Sequence, residues 1–574
     1  MSGLETIFSA VQAELEQALR ETYPALRAIS PALLNYFRRY DQYLRGWTVS
    51  LPESRAGVFV LMPAHYPAQL IDVFVGERPR FRSRPHVLGN GRLCLVPQDA
   101  QHHPANHRDA SLERLARADR LLSLDAANIP AEEWIAEIRS YWPTVADHLV
   151  LVSTPHGPSR PIVSCLHEGV IYVGDDAAVL SGWLTRRFGH SHPWNIEPAA
   201  LLWLDAPLDG PPFPTSSPDV ERLSLDAATV INPLLSQTGR LLTVVVGWGS
   251  GEQSVLLGGT LEPGLPAWKR KYGHTRLAPS FSRLSNVLPP LFHRCSVQRA
   301  DGPWITFRGG SMEMGKVDDR RVALLGCGSL GSGIAELLAK SGVRHLTLVD
   351  PELLTYDNIG RSSLGAEAVG QNKASALKSK IERALPHVTC HAVPTSWVDM
   401  SRQLSSYDLT ISTMAIWQEN VLLNRLAIEA SIRPIVYAWL EPHALAAHAV
   451  CIRSSAVCLE CGFQLNGQPN RVATRWSGNT REAEPGCGGS FQPYGAIDLA
   501  PAQALVAELA LDTLARHVVQ PVRRAWLGNA ARLRKLGGCW DESWEAAYGN
   551  VSGGRAIVEV PWLSNPACPG CGHV

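Results

Sequence analysis

The stretch that decides the fold runs from Arg321 to Asp350 and reads RVALLGCGSLGSGIAELLAKSGVRHLTLVD. A short apolar run at Val322–Leu325 is followed by a glycine-rich turn, a segment with helical periodicity to about Lys340, and a second apolar run at Leu346–Val349. A strand, a helix and a second strand in this order make a βαβ unit. The stretch therefore predicts an α/β domain.

The turn of this unit carries Gly326, Gly328 and Gly331 at G-x-G-x-x-G spacing. Glycines let the backbone approach a phosphate closely, and the N-terminus of the following helix then presents free N–H groups to it. Asp350 ends the second strand, where a carboxylate accepts hydrogen bonds from a ribose. The motif predicts nucleotide binding without selecting the nucleotide, so an NAD-linked oxidoreductase is the rival interpretation.

The residues after the second strand favour adenylation over hydride transfer. Asp350 is followed by Asn358, Arg361 and Lys373. Attack of a carboxylate on the α-phosphate of ATP brings anions together, and Arg361 and Lys373 can neutralise the charge that develops. Asn358 can orient a phosphate or the shell of a metal ion. A dehydrogenase has no need of this cationic pair, although both residues could instead be solvated residues of a loop and a helix.

This pattern resembles the adenylation domain of the ubiquitin-activating and ThiF/MoeB family, in which an acid at the strand end precedes an Asn-x-x-Arg motif and then a lysine. The resemblance implies a Rossmann-like fold over residues 306–574, ATP and Mg²⁺ as cofactors, and a homodimer. The chain departs from the family at one point. A magnesium-binding aspartate usually follows the next strand, but here the stretch Asp408–Ala415 places Ala415 near that position.

Two C-x-x-C pairs, Cys458 with Cys461 and Cys568 with Cys571, predict a Cys₄ zinc site. The pairs are too far apart in sequence for a compact zinc finger, so we expect a structural clamp on the C-terminus. The resembling family has the same paired knuckles. A redox-active dithiol is the alternative, but neither pair opens a thioredoxin-like βαβ unit.

Cys487 lies between the two pairs in the glycine-rich segment Glu484–Ser490. In the resembling family, a cysteine of this crossover segment takes the activated carboxyl group as a thioester. A thiol in such a segment can reach an adenylate and attack it. The alternative is an ordinary loop cysteine.

A second candidate thiol is Cys94. The segment Arg84–Leu95 resembles the active-site stretch of ubiquitin-conjugating enzymes, in which a His-Pro-Asn tripeptide precedes Asn-Gly-x-x-Cys-Leu. His86 aligns with the asparagine that stabilises the oxyanion, and could donate the same hydrogen bond or activate the thiol. The alternative is a buried core cysteine beside a surface histidine.

The pattern along the chain predicts three domains. Residues 1–145 combine strand-like runs at Gly57–Met62 and Leu70–Val75 with later helices at Leu112–Leu122 and Glu132–Trp142, an α+β pattern that we assign to a ubiquitin-conjugating-like domain. Residues 146–305 are assigned to a mixed α/β linker domain of unknown role. Residues 306–574 are assigned to the adenylation domain.

Composition narrows the classes of function. The 574 residues include 53 Lys+Arg and 53 Asp+Glu, so the chain has no global basic field that would favour nucleic acid. No apolar run of membrane-spanning length and no secretion signal is found, and we expect a cytoplasmic protein without a membrane partner. In that compartment the 12 cysteines are expected to be thiols or metal ligands.

Taken whole, the chain resembles bacterial fusions of ubiquitin-conjugating and ubiquitin-activating-like domains found in anti-phage operons, including CBASS systems. The resemblance implies a relay in which a carboxylate becomes an adenylate, a Cys487 thioester, a Cys94 thioester and finally an amide. It implies as partners a ubiquitin-like protein or nucleotidyltransferase that presents its C-terminus, and a target protein amine. The alternatives are a sulfur-carrier-type adenylyltransferase without conjugating activity and a non-catalytic nucleotide-binding module.

Overall fold

The computed structural model describes residues 2–76, 84, 86–88, 90–95, 103–124, 131–145, 147–153, 156–189, 193–208, 210–238, 241–250, 254–262, 289–308, 317–432, 434–453, 456–483, 490–549 and 553–572. It divides the chain into two compact units. The first contains residues 1–149, 156–161 and 198–297, and the second contains residues 150–155, 162–197 and 298–574.

The first unit begins with an antiparallel four-stranded sheet in the order β1-β2-β3-β4. Its elements, in chain order, are α1 (Ser2–Thr22), β1 (Arg27–Ala28), α2 (Pro31–Phe37), β2 (Tyr43–Ser50), β3 (Gly57–Pro63), β4 (Asp72–Val75), a 3₁₀ turn (Pro104–Asn106), α3 (His107–Ser123) and α4 (Ala131–Tyr141). The predicted strands and helices of this α+β region are therefore present, while β2 was not predicted.

Both faces of this small sheet are covered, because side chains alternate along each strand. On one face, Val58 and Val60 of β3 share a core with Leu15 of α1 and Leu115 of α3. On the other face, Leu61 of the same strand packs in a second cluster that includes Phe37, Tyr43 and Phe74. The sheet thus holds α1 and α3 on one side and α2 on the other.

The region between residues 146 and 305 is rich in strands. Its elements are β5 (His148–Leu151), β6 (Arg160–His167), β7 (Val170–Gly174), α5 (Ala177–Phe188), β8 (Glu197–Trp203), α6 (Ser217–Glu221), α7 (Ala227–Thr238), β9 (Leu242–Trp248), β10 (Val255–Leu261), β11 (Phe292–Arg299) and α8 (Gly302–Arg308). Strand β8 runs parallel to β9, and β9, β10 and β11 pair antiparallel. In the second unit, β6 and β7 form an antiparallel hairpin.

Trp142 joins the end of α4 to the core beneath β9 and β10. Its ring is buried with Leu202, Val244 and Leu257, and Nε1–H donates to the carbonyl oxygen of Gly258 at 2.7 Å. A buried indole with a satisfied N–H contributes both apolar area and a hydrogen bond. This residue therefore ties α4 to the central strands of the same unit.

The second unit is built on an eight-stranded sheet in the order β14-β13-β12-β15-β16-β17-β21-β23. Its elements are β12 (Arg321–Leu325), α9 (Ser329–Lys340), β13 (His345–Val349), α10 (Tyr356–Ile359), α11 (Lys373–Ala384), β14 (Thr389–Val393), β15 (Leu409–Ser412), α12 (Trp417–Glu429), β16 (Ile435–Leu440), β17 (Ala446–Ile452), β18 (Thr474–Trp476), β19 (Glu482–Ala483), β20 (Ser490–Phe491), α13 (Ala496–Leu514), β21 (Val522–Asn529), α14 (Ala530–Lys535), β22 (Gly538–Trp540), α15 (Glu542–Tyr548) and β23 (Gly554–Pro561). Short 3₁₀ segments lie at Ala366–Ala368, Trp397–Ser406, Pro442–Ala444 and Leu459–Gly462.

Strand β12 lies at the centre of the parallel part of this sheet. It pairs in parallel with β13 on one side and with β15 on the other. Val322 and Leu324 enter one core and Ala323 and Leu325 another, so β12 is buried on both faces, as an uninterrupted apolar run predicts. The strand order reverses at β12, and ligands of open α/β sheets bind outside the carboxyl ends of the strands at such a point.

The predicted βαβ unit is confirmed, because β12, α9 and β13 lie where the sequence pattern puts them. Among the described helices, none combines the length and the apolarity that crossing a membrane requires.

We predict that Trp142→Ala lowers the local free energy of unfolding around β9 and β10 by about 3–5 kcal/mol, because a large buried ring leaves a cavity. Trp142→Phe should cost less, since it keeps one ring and loses the hydrogen bond to Gly258 and only part of the buried ring volume. Hydrogen exchange of the β9 and β10 peptides measures this quantity in a multidomain chain. Leu225→Ala is the control, because Leu225 is 99% exposed. Equal protection in all three variants would contradict the prediction.

Candidate functional site

The glycine turn after β12 is held by close backbone packing. Gly326 adopts a φ of +95° and donates its N–H to the carbonyl oxygen of Val349 at 2.8 Å. A Cβ on Gly331 would lie 2.0 Å from the carbonyl oxygen of Gly326 and 2.7 Å from the hydroxyl of Thr413. A Cβ on Gly328 would meet nothing within 4 Å. Gly331 is therefore required for the approach of α9 to the turn, whereas Gly328 leaves open space at the helix N-terminus.

Asp350 fixes this turn from the end of β13. Its carboxylate accepts the N–H of Cys327 at 2.7 Å and the N–H of Glu352 at 2.9 Å. Burial raises the pKa of the Asp350 carboxyl, against the two backbone hydrogen bonds and the charge of Lys373, which lower it. The carboxylate lies where the sequence predicts it, and its contact with a ribose stays a prediction.

The two predicted cationic residues follow β13 in the chain, Arg361 just after α10 and Lys373 at the start of α11. Lys373 begins α11, is buried, and forms an ion pair with the exposed Glu352. Arg361 donates to the carbonyl oxygen of Asp357 at 3.1 Å, and its guanidinium carbon lies 5.8 Å from the ring centroid of Tyr494. The hydroxyl of Tyr494 lies 3.0 Å from that of Ser329, the first residue of α9.

Asn358 caps the short helix α10. Its Oδ1 accepts from the N–H and the hydroxyl of Thr355, both at 3.2 Å. These hydrogen bonds give Asn358 a structural role at the start of α10. The contact of Asn358 with a phosphate or a metal shell stays a prediction.

A cavity of about 500 Å³ opens at the carboxyl ends of β12, β15 and β16, and its volume lies within the range of small-molecule sites. Its lining includes the glycine turn and the residues after β15, namely Gly328, Ser329, Leu330, Thr413, Met414 and Ala415, together with Arg361. Six aromatic rings also line it, namely those of Trp417, Tyr437, Trp439, Phe463, Phe491 and Tyr494. Of the predicted nucleotide-site residues, Gly328 and Arg361 line this cavity.

Two polar atoms of the cavity wall have no hydrogen-bond partner within the described part of the chain. They are Nε1 of Trp439 and Oε1 of Gln492. Buried polar groups are nearly always paired, so these two atoms are exceptions, and both are closed to solvent although their residues line the cavity. The side-chain amide nitrogen of Gln492 donates to Thr480 at 3.0 Å, which fixes the orientation of its oxygen.

The described lining residues do not fit a magnesium site. Ala415 lines the cavity where the family aspartate was expected. Glu441 supplies the one carboxylate of the described lining, and it accepts hydrogen bonds from His448, from the N–H of Ala473 and from Thr474. Burial acts to raise the pKa of Glu441, but these hydrogen bonds outweigh it and lower the pKa. The expected magnesium ligand stays unassigned.

The four cysteines of the predicted zinc site come together. Their Sγ atoms all lie within 4.8 Å of one another, with Cys458 and Cys568 at 3.5 Å and Cys461 and Cys571 at 3.3 Å. A tetrahedral site with Zn–S bonds of about 2.3 Å has sulfurs roughly 3.8 Å apart, so the cluster fits zinc. The second pair comes from beyond β23, and zinc there would tie the C-terminal segment to the body of the unit.

The surroundings of the cysteine cluster support a structural role. Asn424 of α12 accepts the N–H of Leu459 at 2.9 Å and donates to Glu460 at 3.0 Å. Nε1–H of Trp562 donates to the carbonyl oxygen of Cys458 at 2.9 Å. Such outer contacts hold metal ligands in place.

Cys487 lies outside the described residues. The strands on either side of its segment, β19 and β20, pair antiparallel, with Glu482 opposite Phe491. Arg481, Phe491 and Gln492 all line the cavity. The segment that carries Cys487 therefore begins and ends beside the cavity.

Cys94 and His86 are neighbours in the first unit. The N–H of Cys94 donates to the carbonyl oxygen of His86 at 2.8 Å, and Cys94 is half-buried. Burial raises the pKa of the Cys94 thiol, the Glu137 carboxylate raises it further, and Arg92 and Arg114 oppose this. Cys94 is therefore not a fully buried core thiol, and its surroundings favour the protonated form.

Sequence reasoning missed Glu137 and Tyr141 of α4, which contact His86 directly. Nδ1 of His86 lies 2.8 Å from Oε1 of Glu137, and the Tyr141 hydroxyl accepts the N–H of His86 while donating to Glu137. Both lie more than 40 residues after Cys94 in the sequence, on a helix whose pattern indicates only an amphipathic surface. No local motif could have connected them to the thiol.

These features define an α/β nucleotide-binding domain with a cysteine cluster, and comparison with known proteins agrees. Residues 306–536 match the ThiF family. The predicted resemblance to enzymes with a ThiF-type domain is confirmed. The match supports ATP-dependent adenylation of a carboxyl terminus, and thus an enzyme of the ubiquitin-activating type.

The chain is similar to particular bacterial proteins over most of its length. It is 24% identical to the ATP-dependent ubiquitin transferase-like protein Cap2 of Vibrio cholerae over 525 residues, which covers 82% of this chain and 88% of that protein. It is 28% identical to the protein of the same name from Escherichia coli over 522 residues, covering 80% and 84%. The crystal structure of E. coli MccB with MccA aligns with 46% of this chain and 71% of that chain, at 15% identity and a TM-score of 0.33.

We predict that Gly331→Ala destabilises the second unit by about 1–3 kcal/mol, because the added Cβ meets the rigid carbonyl of Gly326 and forces the turn and α9 apart. It should also abolish ATP binding measured by calorimetry. Gly328→Ala is the matched control and should melt like wild type, since its Cβ meets open space. Equal melting temperatures for the two variants would contradict the predicted clash between the added Cβ and the carbonyl of Gly326.

We predict that the purified chain carries about one zinc ion, held by the four clustered thiolates. Cys461→Ser should lose the metal and lower the melting temperature of the second unit. Mass spectrometry of metal content would measure the loss. Cys539→Ser is the control, because Cys539 is exposed and lies outside the cluster. A Cys461→Ser protein that retains full zinc content would show that the cluster is not the site.

Proposed function

We propose that this chain activates the C-terminal carboxylate of a protein with ATP, takes it as a thioester on Cys487, passes it to Cys94, and joins it to an amine of a target. The observation that carries the proposal is the shared cavity. Gly328 of the phosphate turn lines it, and so do Arg481 and Phe491, which flank the segment of Cys487. The nucleotide and the attacking thiol would thus meet in the same cavity.

The first step joins a carboxylate to the α-phosphorus of ATP. A carboxylate oxygen attacks, the bond to the bridging oxygen breaks, and pyrophosphate leaves. Arg361 lines the cavity and offsets the negative charge that accumulates on the phosphate, and the N-terminus of α9 presents N–H groups beside Gly328. Lys373 is paired with Glu352, so its contribution requires that ion pair to open.

The aromatic side of the cavity suits an extended peptide tail. Trp439 and Gln492 also line the cavity, and their buried donor and acceptor would reach a peptide group once these side chains turn toward it. Trp417, Phe463 and Phe491 offer apolar contact to the tail. These residues support a protein C-terminus, rather than a small acid, as the substrate.

The second step transfers the acyl group to sulfur. The Cys487 thiolate attacks the acyl carbon, the C–S bond forms, and AMP leaves with the electron pair of the broken C–O bond. Cys487 and Phe491 are four positions apart in the sequence, and a chain of that length spans at most about 14 Å. Because Phe491 lines the cavity, this short connection keeps the thiol within reach of it.

The remaining steps assign a conjugating role to the N-terminal region. The Cys94 thiolate takes the acyl group from Cys487, and an amine then displaces Cys94 to form an amide. The helix, sheet and helices of residues 1–145, the half-buried Cys94 and the neighbouring His86 support this assignment. The relatives named Cap2 are called ubiquitin transferase-like, which supports the transfer step.

The biological setting is part of the same proposal. The resemblance to fusions of anti-phage operons leads us to propose a role in defence. The donor of the C-terminus would be a ubiquitin-like protein or a nucleotidyltransferase, and the acceptor would be a protein amine. We also propose that the chain forms a homodimer. Residues 146–305 would join the two catalytic regions.

One observation favours a second candidate function. The surroundings of Cys94 raise the pKa of its thiol, which reduces the thiolate available for acyl transfer. A sulfur-carrier-type adenylyltransferase would need the cavity and the ThiF-type domain but not Cys94.

We predict an ATP-dependent adduct that is sensitive to reducing agent when the full chain is mixed with ATP, magnesium and candidate proteins encoded in its operon. Cys487→Ala should retain pyrophosphate exchange into ATP but form no adduct, because adenylation precedes the thiol. Cys94→Ala should hold the adduct at Cys487 and form no amide. Non-reducing gels and mass mapping would measure both.

Cys539→Ala is the control for this experiment, since it removes an exposed thiol far from either segment in sequence. If Cys94→Ala forms amides as fast as wild type, the conjugating role is wrong and the adenylyltransferase stands. If no pyrophosphate exchange occurs with any candidate protein, the catalytic proposal itself fails.

A further inference from the structure

His86 is held from three directions beside Cys94. Its φ of +62° is uncommon for a residue with a Cβ, and such a conformation persists only where neighbours enforce it. Its N–H donates to the Tyr141 hydroxyl, its carbonyl oxygen accepts from the N–H of Cys94 at 2.8 Å, and its Nδ1 lies 2.8 Å from Glu137. The backbone of His86 is therefore tied to that of Cys94, and its ring is tied to Glu137.

The contact with Glu137 sets the tautomer of His86. A carboxylate is only an acceptor, so Nδ1 must carry the hydrogen of the 2.8 Å contact. In neutral imidazole the lone pair then lies on Nε2, which makes Nε2 a base. The same tautomer cannot donate from Nε2, so neutral His86 does not replace the oxyanion-binding asparagine of the resembling family.

Glu137 is ionised and is itself held in place. Partial burial acts to raise the pKa of its carboxyl, but hydrogen bonds from His86 and Tyr141 outweigh burial and lower it. Burial and the Glu137 carboxylate raise the pKa of the Tyr141 phenol, so Tyr141 stays a neutral donor. A carboxylate behind an imidazole stabilises the imidazolium that forms when the ring takes a proton.

The other charged groups that act on the thiol are two arginines. Arg92 forms an ion pair with Asp72 of β4 at 2.8 Å, and Arg114 of α3 donates to a backbone carbonyl oxygen at 3.1 Å. Both lower the pKa of the Cys94 thiol by charge, against burial and Glu137, which raise it. Within the described part of the first unit, Glu137 is thus the anion that acts on the imidazole and on the thiol alike.

We infer that Glu137 and Tyr141 position His86 as the general base that takes the proton of the acceptor amine at the Cys94 thioester. The inference rests on the proposed conjugating role of Cys94. The amine nitrogen attacks the thioester carbon, its N–H proton passes to Nε2 of His86, and the C–S bond breaks with its electron pair on sulfur. The Cys94 thiolate then takes the proton from the imidazolium, so the products are an amide and a free thiol.

Glu137 has a second effect in this arrangement. A fixed carboxylate beside the thiol disfavours the resting thiolate, and it attracts an incoming ammonium group. The same residue therefore slows the step in which Cys94 receives the acyl group and favours the later step in which an amine takes it.

The test acylates Cys94 directly, so that neither ATP nor Cys487 is needed. The full chain with Cys487→Ala would be treated with an aryl thioester of acetylglycine, and acylated Cys94 would be followed by peptide mass mapping. Trifluoroethylamine would serve as the amine, because it stays neutral near neutral pH and the pH dependence then reports groups of the protein.

We predict that Glu137→Gln lowers the aminolysis rate at Cys94 by about 10²-fold, the lower end of the usual contribution of general acid–base catalysis. The inflection of the pH–rate profile should also move to lower pH, because the carboxylate no longer stabilises the imidazolium. Alkylation of the free Cys94 thiol by iodoacetamide should become faster in the same variant, since one cause of the raised thiol pKa is removed. A general loss of structure would also expose Cys94 and speed its alkylation, so the displaced but still present inflection is the result that separates a positioning role from unfolding.

His86→Asn separates a base from an oxyanion donor. Asparagine tolerates the positive φ of this position and can donate to an oxyanion, but it cannot take a proton. We expect His86→Asn to lose both the rate and the inflection. Glu132→Gln, an exposed change on the same helix as Glu137, is the matched control and should behave as wild type.

Two results would overturn the inference: a His86→Asn rate equal to that of wild type, or a Glu137→Gln profile with an unmoved inflection. Failure of the proposed relay gives a different result. In that case ATP-driven transfer to Cys94 is absent, while aminolysis of chemically acylated Cys94 still depends on Glu137.

Discussion

The second unit depends on the contact between the backbone of Gly331 and the carbonyl oxygen of Gly326. This contact lets α9 begin directly above the turn that follows β12, with its free N–H groups facing the end of the sheet. Asp350 accepts the N–H of Cys327 and Thr413 donates to Gly326, so neighbouring strands hold the turn from both sides. The cavity exists because these strand ends meet at one point.

The cavity combines two kinds of surface that separate parts of the chain supply. The glycine turn and Arg361 offer N–H groups and positive charge, which suit phosphate. The segment around β16, β19 and β20 offers aromatic rings. The cysteine cluster lies behind this second surface, where Asn424 and Trp562 bond to its backbone. Cys568 and Trp562 of the C-terminal segment share a buried core with Phe463 of the cavity wall.

The surroundings of Cys94 disfavour its thiolate, unlike those of a cysteine that acts as a strong nucleophile. Its pKa is raised by burial and by Glu137, and the same carboxylate orients His86. A group that weakens the thiol as a nucleophile can strengthen the neighbouring imidazole as a base. In the proposed mechanism, these two effects favour transfer of the acyl group from Cys94 to an amine over direct attack by the free Cys94 thiol.

The sequence by itself determined the βαβ unit, the glycine turn and the paired cysteines, because these follow from local periodicity and short spacings. It could not place Glu137 and Tyr141 beside His86, nor Trp439 and Gln492 on a cavity wall. Those positions depend on how helices and strands pack across long separations in the chain, which no local pattern encodes. Only the tertiary structure decided them, since contacts between distant segments are set by the packing of the whole core.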